Sequence, residues 1–220
     1  MSEICIHFAD MLKSSIPLRI IRKIAAKPAN RVWTSTDFSG MGPRDAVDKA
    51  LQRLTRTGKL RRIERGLYER PRTNPLTQKA TSTDYREILD ALTRRDRVRM
   101  LVDGMTAAND LGLTDAVPAR VMVHTDARRR SIRLNNLVIE FRRAAPSRLY
   151  WAGRPAMRVV QALHWVKDML PTDRDQIAAQ LRKILAAPKS GPAIRTDLEN
   201  GFGTLPAWMQ DFIRPLISVK

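Results

Sequence analysis

The chain has 220 residues, of which 43% are apolar, a share that supports a packed core and excludes wholesale disorder. Forty Lys and Arg against 22 Asp and Glu leave a formal charge of +18, which favours nucleic acid as partner over an anionic membrane or an acidic protein. The single cysteine, Cys5, excludes an intrachain disulfide, and no apolar run reaches the roughly 18 residues of a membrane span. No secretory signal is recognisable, so we expect a cytoplasmic protein without membrane association.

Helical spacing dominates the start of the chain. Isoleucines recurring at this spacing predict a helix over 16–26, after a weaker amphipathic signal at 4–12. A short extended piece at 32–34 and a short helix around 37–38 follow. A longer helix is then predicted over 43–57, with Pro in its first turn and Gly58 after its end. Its expected buried stripe is Val47, Ala50, Leu51 and Leu54.

Two short apolar-alternating runs, 59–63 and 67–69, flank a turn that contains Gly66. This pattern predicts a β-hairpin. Helix, short helix, longer helix and hairpin is the element order of a winged helix-turn-helix domain that binds double-stranded DNA, and we predict this domain for residues 1–72. The Pro-containing polar stretch 73–83 is predicted to be a linker.

The remaining residues, 84–220, predict a C-terminal mixed α/β domain with a small antiparallel sheet, which makes the whole chain α+β. The predicted helices are 84–95, 104–111, 157–165, 173–187 and 206–217, with a short one near 194–198. The predicted strands are 121–124, 131–134 and 137–141, the last two joined as a hairpin by Asn135-Asn136.

Positive charge is denser in the N-terminal third, where residues 1–72 hold 16 Lys and Arg against 7 Asp and Glu. Cations that neutralise phosphates release counterions, and Arg, Lys and Gln side chains also read base edges in the major groove. The residues expected to contact DNA are Arg44, Lys49, Gln52, Arg53, Arg61, Arg62 and Arg65.

Structural explanations compete with this interpretation. The face of the 43–57 helix also carries Asp45 and Asp48, as expected of a solvated surface with ordinary ion pairs. Arginines on a hairpin also protect an exposed strand edge from pairing with another chain. The basic loop 126–130 is equally consistent with a contact to DNA, a contact to an acidic partner and a solvated loop.

Signals for catalysis are poor. The histidines, His7, His124 and His164, lie far apart in the sequence, and Cys5 near His7 lacks the further ligands of a zinc site. The chain has neither a phosphate-binding Gly-x-x-x-x-Gly-Lys loop nor a Gly-x-Ser-x-Gly nucleophile motif. We therefore predict no enzymatic activity, no cofactor and no metal.

Two segments stand out: Trp33-Thr34 before Asp37-Phe38, and Ile63-Glu64-Arg65-Gly66-Leu67-Tyr68-Glu69-Arg70-Pro71, an "arginine, glycine, aliphatic, tyrosine" wing that ends near a proline. They resemble the AbiEi-type antitoxins of type IV toxin–antitoxin systems, the second segment most strongly, and further segments follow the family pattern in the same order. The others are Val47, Leu51, Leu54 and Gly58, then 103–114, 118–121 and 139–143. The resemblance covers most of residues 15–165. The sequence departs from the family at Asp103, where the family carries Ser or Pro, and no motif after about residue 170 matches it.

The resemblance implies an autorepressor of its own operon whose C-terminal domain counteracts a nucleotidyltransferase-like toxin, with no enzymatic activity of its own. It also implies binding to an inverted repeat, one winged domain on each half-site, as a homodimer on DNA would do. Two alternatives stay open. One is a stand-alone regulator whose C-terminal domain dimerises or senses a ligand, and the other is an RNA-binding or nucleic-acid-processing enzyme.

Overall fold

The computed structural model describes residues 15–76, 78–135 and 137–218. The predicted amphipathic segment at 4–12, with Cys5 and His7, and one half of the Asn135-Asn136 turn lie outside the described residues. The chain divides into two compact units, Met1–Arg97 and Val98–Lys220, which we describe separately.

The N-terminal unit alternates helices with very short strands. In chain order its elements are α1 (Ile16–Ala25), β1 (Val32–Trp33), a 3₁₀ helix (Ser35–Met41), α2 (Arg44–Arg56), β2 (Arg61–Glu64), β3 (Leu67–Glu69) and α3 (Tyr85–Asp96). The predicted helices at 16–26 and 43–57 and the predicted hairpin are confirmed. The three strands form one antiparallel sheet in the order β1-β3-β2, because β1 pairs with the outer edge of the hairpin through Val32 and Glu69.

One apolar core holds α1, the 3₁₀ helix and α2 together. The predicted stripe of α2 is buried in it, and Trp33 stacks on Phe38 with ring centroids 5.3 Å apart. The other buried members are Ile20, Ile24 and Leu60. Tyr68 of β3 packs against this core, so the hairpin covers one of its edges. This packing fixes which face of α2 remains in solvent.

Asp37 ties the 3₁₀ helix to its surroundings. Its Oδ2 accepts hydrogen bonds from the backbone N–H and the hydroxyl of Thr34, at 2.8 and 2.9 Å. The bond from the backbone N–H is half of a capping box, in which the Thr34 side chain in turn accepts from the backbone N–H of Asp37. Its Oδ1 lies 3.8 Å from Nη2 of Arg31 and 3.6 Å from Nε of Arg94, and its carbonyl accepts from Lys23. Asp37 therefore joins α1 through its carbonyl, and α3 and the residues flanking β1 through its carboxylate, to the turn that precedes α2.

The boundary between the units differs from the prediction. The predicted linker 73–83 lies inside the N-terminal unit, where Thr73 and Ala80 form an isolated bridge. The next helix, α3, also belongs to this unit, and Nη2 of its Arg94 donates to the carbonyl of Val32 at 2.9 Å. Long-range contacts of this kind leave no periodic signal in the sequence. The polar composition of residues 73–83 therefore predicts a linker although these residues belong to the unit.

The C-terminal unit consists mainly of helices around one small sheet. Its elements are β4 (Met100–Val102), α4 (Gly104–Asp110), β5 (Arg120–Thr125), β6 (Ile132–Leu134), β7 (Leu137–Arg143), α5 (Met157–Val166), α6 (Leu170–Leu185), α7 (Gly191–Gly201) and α8 (Ala207–Ile217), with 3₁₀ turns at Pro146–Leu149, Lys167–Met169 and Phe202–Thr204. The protein is therefore α+β. Within the described ranges, no helix of either unit combines the length and the apolar character needed to cross a bilayer.

The sheet of this unit is mixed, and the prediction of an antiparallel sheet was wrong. The strand order is β4-β5-β7-β6, with β5 and β7 parallel and the other two pairs antiparallel. The predicted β6–β7 hairpin is present. Val121 and Ile139 are register partners and both are fully buried, so the buried faces of β5 and β7 lie on the same side of the sheet. Alternation along a strand indicates its buried face but not the direction of its neighbour.

Asp103, where the sequence departs from the AbiEi pattern, caps α4 and ties it to the sheet. Its Oδ1 accepts from the N–H of Thr106 at 3.0 Å, and its Oδ2 accepts from the N–H of Met122 at 3.0 Å. The next residue, Gly104, lies against α5 with no room for a side chain. These contacts fix α4 between β5 and α5.

Candidate nucleic-acid interface

The solvent side of α2 carries the predicted contact residues. Arg44, Lys49, Gln52 and Arg53 are all exposed. Arg56, which the sequence analysis did not single out, is exposed as well and follows Gln52 and Lys49 at helical spacing. We refer to Lys49, Gln52, Arg53 and Arg56 as the outer face of α2.

Most cations of the outer face are not neutralised within the unit. Lys49, Arg53 and Arg56 have no side-chain ion pair or hydrogen bond with any residue that the structure describes. Arg44, one turn before them, lies with its Nε 3.5 Å from Oδ2 of Asp48, and both side chains are exposed. Exposed pairs of this kind contribute about 0–1 kcal/mol, so a polyanion can displace them. Asp45 is also exposed, which leaves the helix with both signs but an excess of positive charge.

The hairpin turn presents a second set of exposed arginines. Arg65 lies at the turn, where its backbone N–H donates to Oε1 of Glu64 at 3.0 Å and its guanidinium has no partner among the described residues. Gly66 follows with φ +76°, a left-handed conformation that favours glycine. Arg62 is exposed on β2, its Nε 3.4 Å from the carbonyl of Glu64. Both arginines therefore retain free donors.

Arg61 differs from them because its guanidinium is engaged within the unit, and its contact with DNA stays a prediction. Its guanidinium forms an ion pair with Glu69, whose side chain is only 1% exposed, and donates to the carbonyl of Thr81 at 2.8 Å. Thr83 donates to the same Oε1 of Glu69 at 2.9 Å. Adjacent residues of a strand point to opposite faces, so Arg61 lies over the interior when Arg62 faces solvent. Arg61 is a structural residue of the sheet.

We expect Arg61→Ala to lower the free energy of unfolding by about 2 kcal/mol, because it leaves a buried carboxylate short of its partner. The other oxygen of Glu69, Oε2, already has no hydrogen bond, so the loss is not compensated locally. Arg62→Ala is the matched control and should change the free energy by less than about 0.5 kcal/mol. Urea unfolding of both variants measures the difference. Equal stability of the two variants would contradict the structural role of Arg61.

An open cleft of about 620 Å³ separates the hairpin turn from the start of α2 and from the C-terminal end of α3. We call it the arginine cleft. Its charged lining residues are Arg44, Asp48, Arg62, Arg65, Arg95 and Asp96, and its hydroxyl-bearing ones are Ser35, Thr36 and Tyr68. Sequence reasoning missed Arg95 because it lies thirty residues beyond the turn, in a helix assigned to the other domain.

The basic loop 126–130 of the C-terminal unit is only partly available to a partner. Asp126 accepts from Nε of Arg99 at 3.0 Å. Burial opposes ionisation of this carboxyl, but the hydrogen bonds from Arg99 outweigh it and lower the pKa of Asp126. Arg129 lies over the ring of Phe141 at 5.8 Å, while Arg128 and Arg130 are exposed.

The two histidines of the described ranges lie in different elements of the C-terminal unit. His124 lies half-buried in β5, and His164 of α5 meets the ring of Trp208 edge-on at 6.1 Å. Burial, together with the charge of Lys167, lowers the pKa of His164. In these ranges, no three His, Cys, Asp or Glu side chains come together as metal ligands.

Residues 19–187 match the model of a family of unknown function, DUF6088. The chain belongs to the DUF6088 family. The match includes the outer face of α2, the hairpin and the arginine cleft, so these features lie inside the part that defines the family. The family description names no activity, and the resemblance to AbiEi-type antitoxins therefore stays a prediction.

Other comparisons of this DUF6088 protein add little. A search of curated proteins found no matching sequence. Among solved structures, the RV2827C protein from Mycobacterium tuberculosis is similar, with 21% identity over 91% of this chain and 81% of that chain. Its TM-score is 0.42, and a similarity of this size carries no argument about function.

Proposed function

We propose that this DUF6088 protein is a DNA-binding transcriptional regulator and that residues 16–69 are a winged helix-turn-helix domain. The observation that carries the proposal is the outer face of α2. It presents Gln52 together with three cations that have no partner among the described residues. Arginine and lysine bind guanine and phosphates, and glutamine pairs with adenine in the major groove.

The order and pairing of the elements support this assignment. An α-helix, a short strand, a short helix, α2 and a hairpin follow each other, and β1 pairs with β3. Helix α2 has 13 residues and is about 20 Å long, and the roughly 12 Å wide major groove admits a helix. Arg65 at the hairpin turn is then available to the phosphate backbone or to a narrow minor groove. A regulator of this kind acts in the cytoplasm, where the chromosome lies.

The test is binding to the DNA upstream of its own reading frame. We expect a footprint on that region and a higher affinity for it than for a duplex of the same composition in shuffled order. The affinity should fall steeply with salt. In a plot of the logarithm of the association constant against the logarithm of the salt concentration, the slope is about −0.9 for each phosphate neutralised. Equal affinity for the upstream duplex, the shuffled duplex and double-stranded RNA would leave only non-specific attraction of a basic protein and reject the proposal.

The resemblance to AbiEi-type antitoxins favours one version of this function. In it, the protein represses its own operon as a homodimer on an inverted repeat, and its C-terminal unit counteracts a nucleotidyltransferase-like toxin. A nucleotidyltransferase reading frame next to this gene, toxic alone and harmless when co-expressed with it, is the expected finding. Its absence favours a stand-alone regulator whose C-terminal unit dimerises or senses a ligand.

A further inference from the structure

Arg95 is the least expected residue of the arginine cleft. It lies near the end of α3, outside the elements of the proposed winged helix, and is half-buried. Its Nε and Nη2 donate to the two carboxylate oxygens of Asp96 at 2.9 and 3.1 Å. Its third nitrogen, Nη1, has no hydrogen bond to any described residue. Burial lowers the pKa of Arg95, but an arginine remains charged at physiological pH.

The free nitrogen points at the hairpin. A Cβ atom built on Gly66 would lie 3.1 Å from Nη1 of Arg95, so this guanidinium lies directly beside the turn. Because Asp96 holds the other two nitrogens, the orientation of the planar group is fixed before any ligand arrives. Arg95 is thus an oriented cation with an unused donor in the lining of the arginine cleft.

The remaining lining makes the cleft electropositive. Asp48 and Asp96 are each paired with an arginine of the cleft, Arg44 and Arg95. Arg62 and Arg65 have no acidic partner among the described residues, so the lining keeps a net charge of +2. Guanidinium groups from several elements together with hydroxyl groups are a typical phosphate-binding set.

We propose that the arginine cleft binds a backbone phosphate of the DNA that α2 and the hairpin turn hold, with Arg95 as one of the residues that bind it. This inference rests on the proposed function. Arg44 reaches the cleft from the first turn of α2 and Arg65 from the hairpin turn, so a duplex that contacts both passes over its opening. A free phosphate compound has the same chemistry, and the experiment separates the two sources.

The test compares Arg95→Gln with Arg86→Gln in the full chain. Arg86 lies on the same helix, nine residues earlier and therefore on its opposite side, and its ion pair with Asp84 is exposed. We expect Arg95→Gln to weaken binding of upstream and shuffled duplexes by the same several-fold factor and to reduce the logarithmic salt slope by about one. Arg86→Gln should change neither. Arg95→Lys should keep the slope, because it keeps the charge.

If the wild-type chain binds the duplex and both Arg95→Gln and Arg86→Gln keep the wild-type salt slope, the inference is overturned. A wild-type chain that binds no duplex at all rejects the proposed function instead. In a separate arm, sodium pyrophosphate is titrated calorimetrically into the DNA-free protein. Saturable pyrophosphate binding that Arg95→Gln abolishes, combined with unchanged duplex affinity in that variant, assigns the cleft to a free phosphate compound and overturns the backbone assignment.

Discussion

Replacing Lys49, Arg53 and Arg56 together by glutamine is expected to reduce affinity for the upstream duplex about a hundredfold or more. A lost base contact costs about 1–3 kcal/mol, and each 1.4 kcal/mol is a tenfold change in affinity. Glutamine has nearly the helix propensity of lysine and arginine, so α2 itself should be retained. The three side chains have no partners among the described residues, which keeps their removal from disturbing the core. Fluorescence anisotropy of a labelled duplex measures the effect.

The control removes the same charge elsewhere. Arg182, Lys183 and Lys189 are exposed in the C-terminal unit, and their joint replacement by glutamine lowers the net charge by the same three units. If the general field of a +18 protein drives binding, both triple variants lose affinity equally. A larger loss for the α2 variant, with part of the discrimination between upstream and shuffled duplex removed, supports direct contact. Equal losses refute the placement of the interface on α2.

Gly104→Ala is expected to lower the free energy of unfolding by about 3 kcal/mol, a typical cost of overpacking. A Cβ atom at this position would lie 2.7 Å from the carbonyl oxygen of Gln161 and 2.7 Å from Cβ of Trp165. The obstacle is backbone and a Cβ atom rather than the end of a flexible side chain, so α4 and α5 must move apart. The gain in helix propensity from Gly to Ala, at most about 1 kcal/mol, does not offset this.

Gly203→Ala provides the comparison for this effect. Gly203 lies in the same unit, in the 3₁₀ turn after α7, and a Cβ atom added there would meet no described atom within 4 Å. Its substitution should be neutral or slightly stabilising, because it reduces the entropy of the unfolded chain. Urea unfolding of both variants is the measurement. A Gly104→Ala variant as stable as Gly203→Ala would show that the two helices do not approach as closely as described.

Periodicity predicted the face of α2 well but left it incomplete. The buried stripe and the exposed Lys49, Gln52 and Arg53 follow from 3.6 residues per turn. Arg56 belongs to the same series, and its position on this face follows from the same spacing. Local patterns therefore hold nearly all the information about this helix.

Other residues depend on partners far away in the chain. Arg61 and Arg62 look alike as neighbours in a basic run, and only Glu69 and Thr83, eight and 22 residues from Arg61, show which one is structural. Arg95 has no local signal, because its place beside Gly66 arises from packing across thirty residues. The three residues of β4 are buried on both faces, so they lack the alternation by which strands are recognised.

The contacts of Asp37 have a thermodynamic consequence for binding. A carboxylate that holds Thr34, Arg31 and Arg94 at once leaves the segment before α2 with little backbone freedom. Association then costs mainly the ordering of long side chains, about 0.5–1.5 kcal/mol for each one immobilised, and no folding of a loop. The heat-capacity change of complex formation should accordingly reflect the contact area alone, without the large negative contribution of a segment that folds on its target.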